Sequence, residues 1–320
     1  ASGWNKIHIS CLDSPNVKDG KIVYPGLVTK EWCDDKKDKW GEESSLYQSR
    51  VLGEIPKESQ DTLIKLEWIE KSIVRYLQYE ARGNPNLTGK RLANIQYGID
   101  VARKGMNKTV HILRAGRRVI EIKRFQGYDL MQTVGVASGF IGKYHPQNIM
   151  VDDTGVGGGV TDRLIELGNT NVFPVNNGEN ALDEVHYVRC KDELAWRVRE
   201  AFRLGELDIP DDEDLVFECS NQFYDHTSDY RLRVMPKAML KKFIKTLSVN
   251  KSGFDSADHF SALCLTYFKE FPIEMAKKQI VYLGEFSDQI HVQNLPKMEI
   301  GVSRFNVMVT IPEESSAYLL

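Results

Sequence analysis

The chain has 320 residues, 42% of them apolar and 27% charged, and a formal net charge of −3. That is the composition of a globular protein with one large domain or two of ordinary size. It excludes a disordered or low-complexity chain, and no apolar run reaches the ~20 residues that a membrane-spanning helix needs. The first residues, ASGWNKIHIS, carry neither the basic start nor the apolar core of a secretory leader. The five cysteines, Cys11, Cys33, Cys190, Cys219 and Cys264, are scattered and form no CxxC. This argues against a disulfide framework or a zinc site and suits a reducing cytoplasm.

In chain order, the first 60 or so residues are irregular. SPNVKDGKIVYPG is turn chemistry, followed by a short helix in KEWCDDKKDKWG from Lys30 and a helical turn or two over Ser44 to Arg50. A helix is expected from Leu66 to Tyr79, and GNPNLTGKR is a polar loop. IQYGIDVA reads as an apolar strand that ends on an acid. KTVHILRAG and RRVIEIKRF alternate apolar and polar residues about Ala115-Gly116, which is the pattern of a β-hairpin. DLMQTVGVASGFIGKYH has helical period. NIMVDD is a short buried strand, GGGVTDRLIELG a helix closed by Gly168, and NVFPVN another strand. Asp192 to Leu204 is an amphipathic helix. A helical stretch near Asp214–Tyr224, a short strand in YRLRVMP and a last helix in SADHFSALCLTYFKEF complete the regular part. No internal repeat is present, and residues 271–320 carry no readable motif. Strands and helices in this order specify an α/β protein: a mixed β-sheet flanked by helices, preceded by a linker-like segment and followed by an extension.

Charge is concentrated in two places. Arg103, Lys104, Lys108, Arg114, Arg117, Arg118, Lys123 and Arg124 crowd the hairpin, and Lys237, Lys241, Lys242 and Lys245 form a second group. A solvated surface accounts for scattered charges. Density in two short segments suggests a patch that faces phosphate.

The carboxylates carry the chemistry. Asp100 ends the first strand and Asp152 the fourth. If those strands are neighbours, both acids emerge at one sheet edge. Asp255 and Asp258 open the last helix on one face. Taken singly, each acid has a structural reading as a turn former or helix cap. Taken together, they make an oxygen-rich site for hard divalent cations such as Mg²⁺ or Mn²⁺. Two such ions can promote phosphodiester cleavage. The glycine-rich loop DDTGVGGGV lacks the lysine and hydroxyl of a phosphate-binding P-loop, and GNPNLTGKR has the wrong spacing for one. The glycines of the first loop are therefore expected to let the chain turn sharply from strand to helix with little bulk near Asp152 and Asp153.

Three stretches, YGIDVARKGMNKTV, IMVDDTGVGGGVTDRL and SADHFSALCLTYF, occur in this order. They resemble the nuclease domain of the large terminase subunit of tailed phages. The leading stretches IHISCLDSPNV, YPGLVTKEW and WGEESSLYQSRVLGEIP resemble the part that joins the packaging ATPase to that nuclease. The resemblance extends to about Phe268. It implies an RNase H-like fold, with residues 1–90 as the linker and end of an ATPase-like segment, 91–270 as the nuclease and 271–320 as an extension. It also implies a two-metal endonuclease that cuts concatemeric double-stranded DNA during genome packaging in the host cytoplasm. Its partners would be DNA, the ATPase domain, the small terminase subunit and the portal protein, with no membrane involved. By position, Asp100, Asp152 and Asp258 match the metal ligands, with Asp153 and Asp255 as further candidates. DNA contacts are expected from Arg103, Lys104, Lys108, Arg114, Arg117 and Arg118, and from Lys241, Lys242 and Lys245. The sequence departs from the family twice. Ser261 stands where a second helix acid is frequent, and the ATPase motifs are missing, so no ATP hydrolysis is expected. Three other readings stand beside this one: a DNA-binding or motor-docking module with a silent nuclease site, another RNase H-like nuclease such as a resolvase or transposase, and nucleotide binding at the glycine loop.

Overall fold

The structure is a computed structural model. It describes residues 8–42, 44–54, 62–82, 94–102, 108–236, 239–240 and 258–269, and the backbone of 300–303 and 306–309. The chain divides into two compact units, Ala1–Lys269 and Glu270–Leu320.

The first unit is built on a five-stranded sheet. Its strands are β1 (Ile95–Asp100), β2 (Lys108–Ala115), β3 (Arg118–Gln126), β4 (Asn148–Asp152) and β5 (Val172–Val175), in the order β3-β2-β1-β4-β5. β1, β2 and β3 form an antiparallel meander, while β4 and β5 add in parallel beside β1. The parallel additions require crossovers. Helix α3 (Leu130–Tyr144) carries the chain from β3 to β4, and α4 (Gly158–Glu166) carries it from β4 to β5. Asp129 starts α3 by accepting the Gln132 amide hydrogen bond, and the Gln132 side-chain oxygen accepts the Asp129 amide in return. β1 is the central strand and is buried along its whole length. The expected mixed α/β sheet is therefore the observed one.

Strand alternation divides the core. Tyr97, Ile99, Ile149 and Val151 face α3 and α4, where they pack with Val134, Ala137, Val160 and Leu164. Val110, Ile112 and Met150 face the other way, into a larger core. That core is shared with α1 (Lys30–Trp40), α2 (Leu66–Ala81), α5 (Cys190–Arg203), α6 (Glu213–Ser220) and α7 (Asp258–Leu265). Of residues 1–90, expected as a linker segment with short helices, the described ones include several short helices and the 16-residue α2, and the first unit spans them together with the sheet. The Ser72 hydroxyl donates to the Leu207 carbonyl at 2.8 Å, and Arg75 Nε lies 2.7 Å from Asp208 Oδ1. The Leu63 amide donates to the Gln222 carbonyl at 2.8 Å.

Two small hairpins complete the description. β6 (Tyr224–His226) pairs with β7 (Leu232–Val234), so the strand in YRLRVMP has a three-residue partner that its sequence does not announce. In the second unit, β8 (Ile300–Ser303) pairs with β9 (Asn306–Val309), which places regular backbone where no motif is readable. The GNPNLTGKR loop lies outside the described residues.

Candidate active site

The register Ile99↔Val151 between parallel strands sets the ends of β1 and β4 side by side, with Asp100 and Asp152 as adjacent terminal residues. Both belong to the strand parity of Gly98 and Met150, so they face α7 rather than α3. α7 crosses β1 at Gly98. A Cβ on Gly98 would stand 2.2 Å from the Ala262 carbonyl oxygen, so only glycine lets the helix approach this closely. That approach brings Asp258, in the first turn of α7, to the end of the sheet. Asp100, Asp152 and Asp258 all line one cleft of about 830 Å³. Thr154, Asn177, Arg189, Lys191, Arg233 and Ser261 line it with them. The structure thus brings together three acids that lie up to 158 residues apart in the chain. Asp255 lies outside the described residues.

The two aspartates of VDDTG bond to different elements. Asp152 points into the cleft, where its Oδ1 accepts the Thr154 amide and its Oδ2 the Asn177 side-chain amide, both at 2.9 Å. Asp153 has the opposite parity and turns to α4, where its Oδ1 accepts the Thr161 hydroxyl at 3.2 Å. The glycines that follow serve the turn. A Cβ on Gly157 would lie 1.7 Å from the Asp152 carbonyl oxygen, so the loop folds back directly over the end of β4.

α7 is also held at its C-terminal end, where the last carbonyls of a helix lack partners within it. Arg114 of β2 donates through Nε to the Thr266 hydroxyl at 3.0 Å and through Nη2 to the Thr266 carbonyl at 2.7 Å. Its guanidinium lies 4.0 Å from the centre of the Tyr267 ring. From the other side, Arg197 of α5 donates to the Tyr267 carbonyl at 2.9 Å and is paired with Glu193. Cations at this end also suit the helix dipole.

The residues expected to contact DNA fall in different places. Arg114 is buried, 2% exposed, with Nε and Nη2 on Thr266, just past the end of α7, and Nη1 on the Gly116 carbonyl of the hairpin turn. The hairpin register explains why it sits there. Arg114 pairs with Gln96, and the turn after Ala115 lies beside Ile95, so Arg114, Arg117 and Arg118 occupy the end of β1 remote from Asp100. At ~3.4 Å per residue that separation is roughly 14–17 Å. Arg117 pairs with Asp208 at 2.7 Å, and Arg118 pairs with Glu80 at 2.9 Å and stacks over Tyr79. Lys108 is at the cleft end of the hairpin, 3.6 Å from Asp214. Arg103, Lys104, Lys241, Lys242 and Lys245 lie outside the described residues.

The cations that do line the cleft, Arg189, Lys191 and Arg233, were not legible as a group, because they come from the start of α5 and from β7. Buried Asp192 joins these two elements: its Oδ1 accepts the Val234 amide at 3.0 Å and its Oδ2 the Arg189 amide at 2.9 Å. Leu232 and Val188 add backbone bonds between the same segments. Arg189 Nη1 donates to the Gly178 carbonyl at 3.0 Å, and Arg233 forms a two-point pair with Asp225 at 2.7 and 3.1 Å. The cleft therefore has an acidic floor and a basic rim.

The donor set, carboxylate oxygens in a partly buried cleft, matches hard divalent cations. Among the described residues, no three His, Cys, Asp or Glu side chains are grouped closely enough to share one ion. The three acids line a cleft rather than a single point.

No protein-family model and no curated protein matches this sequence. Solved structures do match. A mutant gp2c of the large terminase subunit from bacteriophage Sf6, solved with calcium, superimposes with a TM-score of 0.50 at 16% identity, over 64% of this chain and 98% of that one. The fold is that of a large-terminase nuclease domain. The large terminase nuclease from thermophilic phage G20c with bound magnesium matches at 17% identity and a TM-score of 0.42, over 55% of this chain and 81% of that one. A mutant nuclease domain of the Sf6 subunit with manganese matches at 15% identity and 0.46, over 64% and 98%. In the terminase-nuclease fold of this chain, Asp100, Asp152 and Asp258 sit where the two parallel strand ends meet the last helix of the first unit.

Proposed function

We propose that this protein is a metal-dependent endonuclease that cuts double-stranded DNA during phage genome packaging, as the nuclease part of a large terminase subunit. The observation that carries the reading is the convergence of Asp100, Asp152 and Asp258 on one cleft within a terminase-nuclease fold.

Asp100, Asp152 and Asp258 would hold two Mg²⁺ or Mn²⁺ ions. Bound there, the ions supply an activated water and charge stabilisation at the leaving 3′ oxygen. The protein's own groups prepare the site. The Thr154 amide and the Asn177 side-chain amide fix both oxygens of Asp152. Arg189, Lys191 and Arg233 on the rim would receive phosphates of the strand lying across the acids. Such contacts carry no base information, so cutting has little sequence preference. With no P-loop in the chain, no ATP hydrolysis is expected of it. The packaging ATPase domain, small terminase subunit and portal are its proposed partners, and the host cytoplasm its place of action.

Linearisation of a supercoiled plasmid with Mn²⁺ tests the reading. Wild type cuts and Asp100→Ala does not; equal cutting by both would sink the assignment. Arg189→Ala with Lys191→Ala should flatten the salt dependence of duplex binding by roughly 2 in log–log slope, one for each phosphate that is no longer neutralised. The spread of the three acids along the cleft favours one alternative, a DNA-binding module with a silent nuclease site. Salt-sensitive duplex binding without cutting in Mn²⁺ at any pH would decide for it.

A further inference from the structure

Glu218 lies in α6, on an element that contributes none of the three acids, and is enclosed by protein at 5% exposure. Burying a carboxylate is costly unless it is well paired. Its two oxygens have specific partners. Oε1 lies 2.6 Å from Nδ1 of His259, and Oε2 accepts the Phe260 amide at 2.8 Å. Both partners directly follow Asp258 in the first turn of α7. The opening amides of a helix have no acceptor within it, and a negative charge at that end suits the helix dipole. The acceptor here comes from a different helix, which is itself fixed: Asp212 caps α6, and Leu215, Val216 and Phe217 are buried beneath it. With Gly98 setting the close crossing and Arg114 and Arg197 holding the far end, α7 is located at its start, middle and end.

We infer that Glu218 is a positioning residue. By binding the backbone of Phe260 and the ring of His259 it sets where Asp258 enters the cleft, and so the affinity of the site for divalent metal. The inference rests on Asp258 being a metal ligand. It is place that matters, not charge. Glutamine at 218 keeps the reach: its amide oxygen accepts the Phe260 amide, and its NH₂ donates to His259 Nδ1 in the other imidazole tautomer. His259 Nε2 then carries the hydrogen, with Asp214 Oδ2 at 3.9 Å. Aspartate keeps the charge but is one methylene too short.

Mn²⁺ binding to the folded protein, measured by calorimetry without DNA, separates these cases, with circular dichroism confirming the fold of each variant. Glu218→Gln should bind Mn²⁺ within threefold of wild type, and Glu218→Asp at least tenfold more weakly. Wild-type affinity in Glu218→Asp would overturn the inference, and so would a Glu218→Gln as weak as Glu218→Asp. Asp100→Ala is the control for the metal site itself. If it binds Mn²⁺ like wild type, the metal reading fails, whatever the Glu218 variants do.

Discussion

Gly98→Ala is a one-methyl change with two separable consequences. The new Cβ would sit 2.2 Å from the Ala262 carbonyl oxygen and 3.1 Å from Leu265 Cβ. Carbon–oxygen contacts settle at about 3.3 Å or more, so α7 must withdraw by about 1 Å. Because the obstacle is backbone, no side-chain rotation relieves it. Overpacking of this kind costs about 1–3 kcal/mol, which urea unfolding can measure. The withdrawal also carries Asp258 away from Asp100 and Asp152, and a misplacement of about 1 Å costs on the order of a hundredfold in rate. Plasmid cleavage in saturating Mn²⁺ should fall by that order in protein that is still folded. A Gly98→Ala protein as stable as wild type and cutting within threefold of it would show that α7 does not depend on its close seat on β1.

Three other outcomes follow from the same geometry. Asp152→Asn should lower Mn²⁺-dependent cutting at least a hundredfold, whereas Asp153→Ala should cut within a few-fold of wild type and lose only about 1 kcal/mol for its bond to Thr161; the reverse ranking in the plasmid assay would contradict the assignment by strand parity. Arg114→Ala should destabilise by about 2–3 kcal/mol, as expected when buried acceptors lose a charged donor, and leave duplex affinity unchanged in the folded protein; urea unfolding and filter binding report the two, and an unchanged stability with weakened DNA binding would restore Arg114 as a DNA contact. Burial lowers the pKa of His111 to about 3, below the ~6.5 of an unfolded histidine, so the unfolded chain takes up the proton first. The stability this contributes is complete above about pH 6.5 and is lost as pH falls towards 3, with about 2 kcal/mol gone near pH 5. An NMR titration giving a His111 midpoint above about pH 5.5 would be inconsistent with this.

Much of the frame is legible in the chain because it is written in local patterns. The alternation in KTVHILRAG and RRVIEIKRF yields the β2–β3 hairpin, and the apolar run IQYGID yields a strand buried from end to end. The three cleft acids are also readable, because strand ends and helix starts are local features that the sheet order then gathers. What depends on register is not readable. The density of basic residues around Ala115 suggests a DNA surface, but the antiparallel pairing carries Arg114, Arg117 and Arg118 to the far end of β1. Burial and pairing also decide what a charge does. Arg114 and Arg197 finish a helix, while Arg189, Lys191 and Arg233 meet at the cleft because Asp192 and the backbone bonds of Val188 and Leu232 join α5 to β7. The contact of Glu218 with His259 spans 41 residues and has no local signature.

The proposed activity stands or falls on Asp100, Asp152 and Asp258 forming one metal site. Anomalous diffraction from crystals of the protein soaked in Mn²⁺ decides this. Mn²⁺ peaks are expected in the cleft within coordination distance of all three carboxylates, with Asp153 still turned to Thr161. Peaks held by other residues, or a cleft that stays empty in Mn²⁺ while Asp100, Asp152 and Asp258 are ordered, would contradict it.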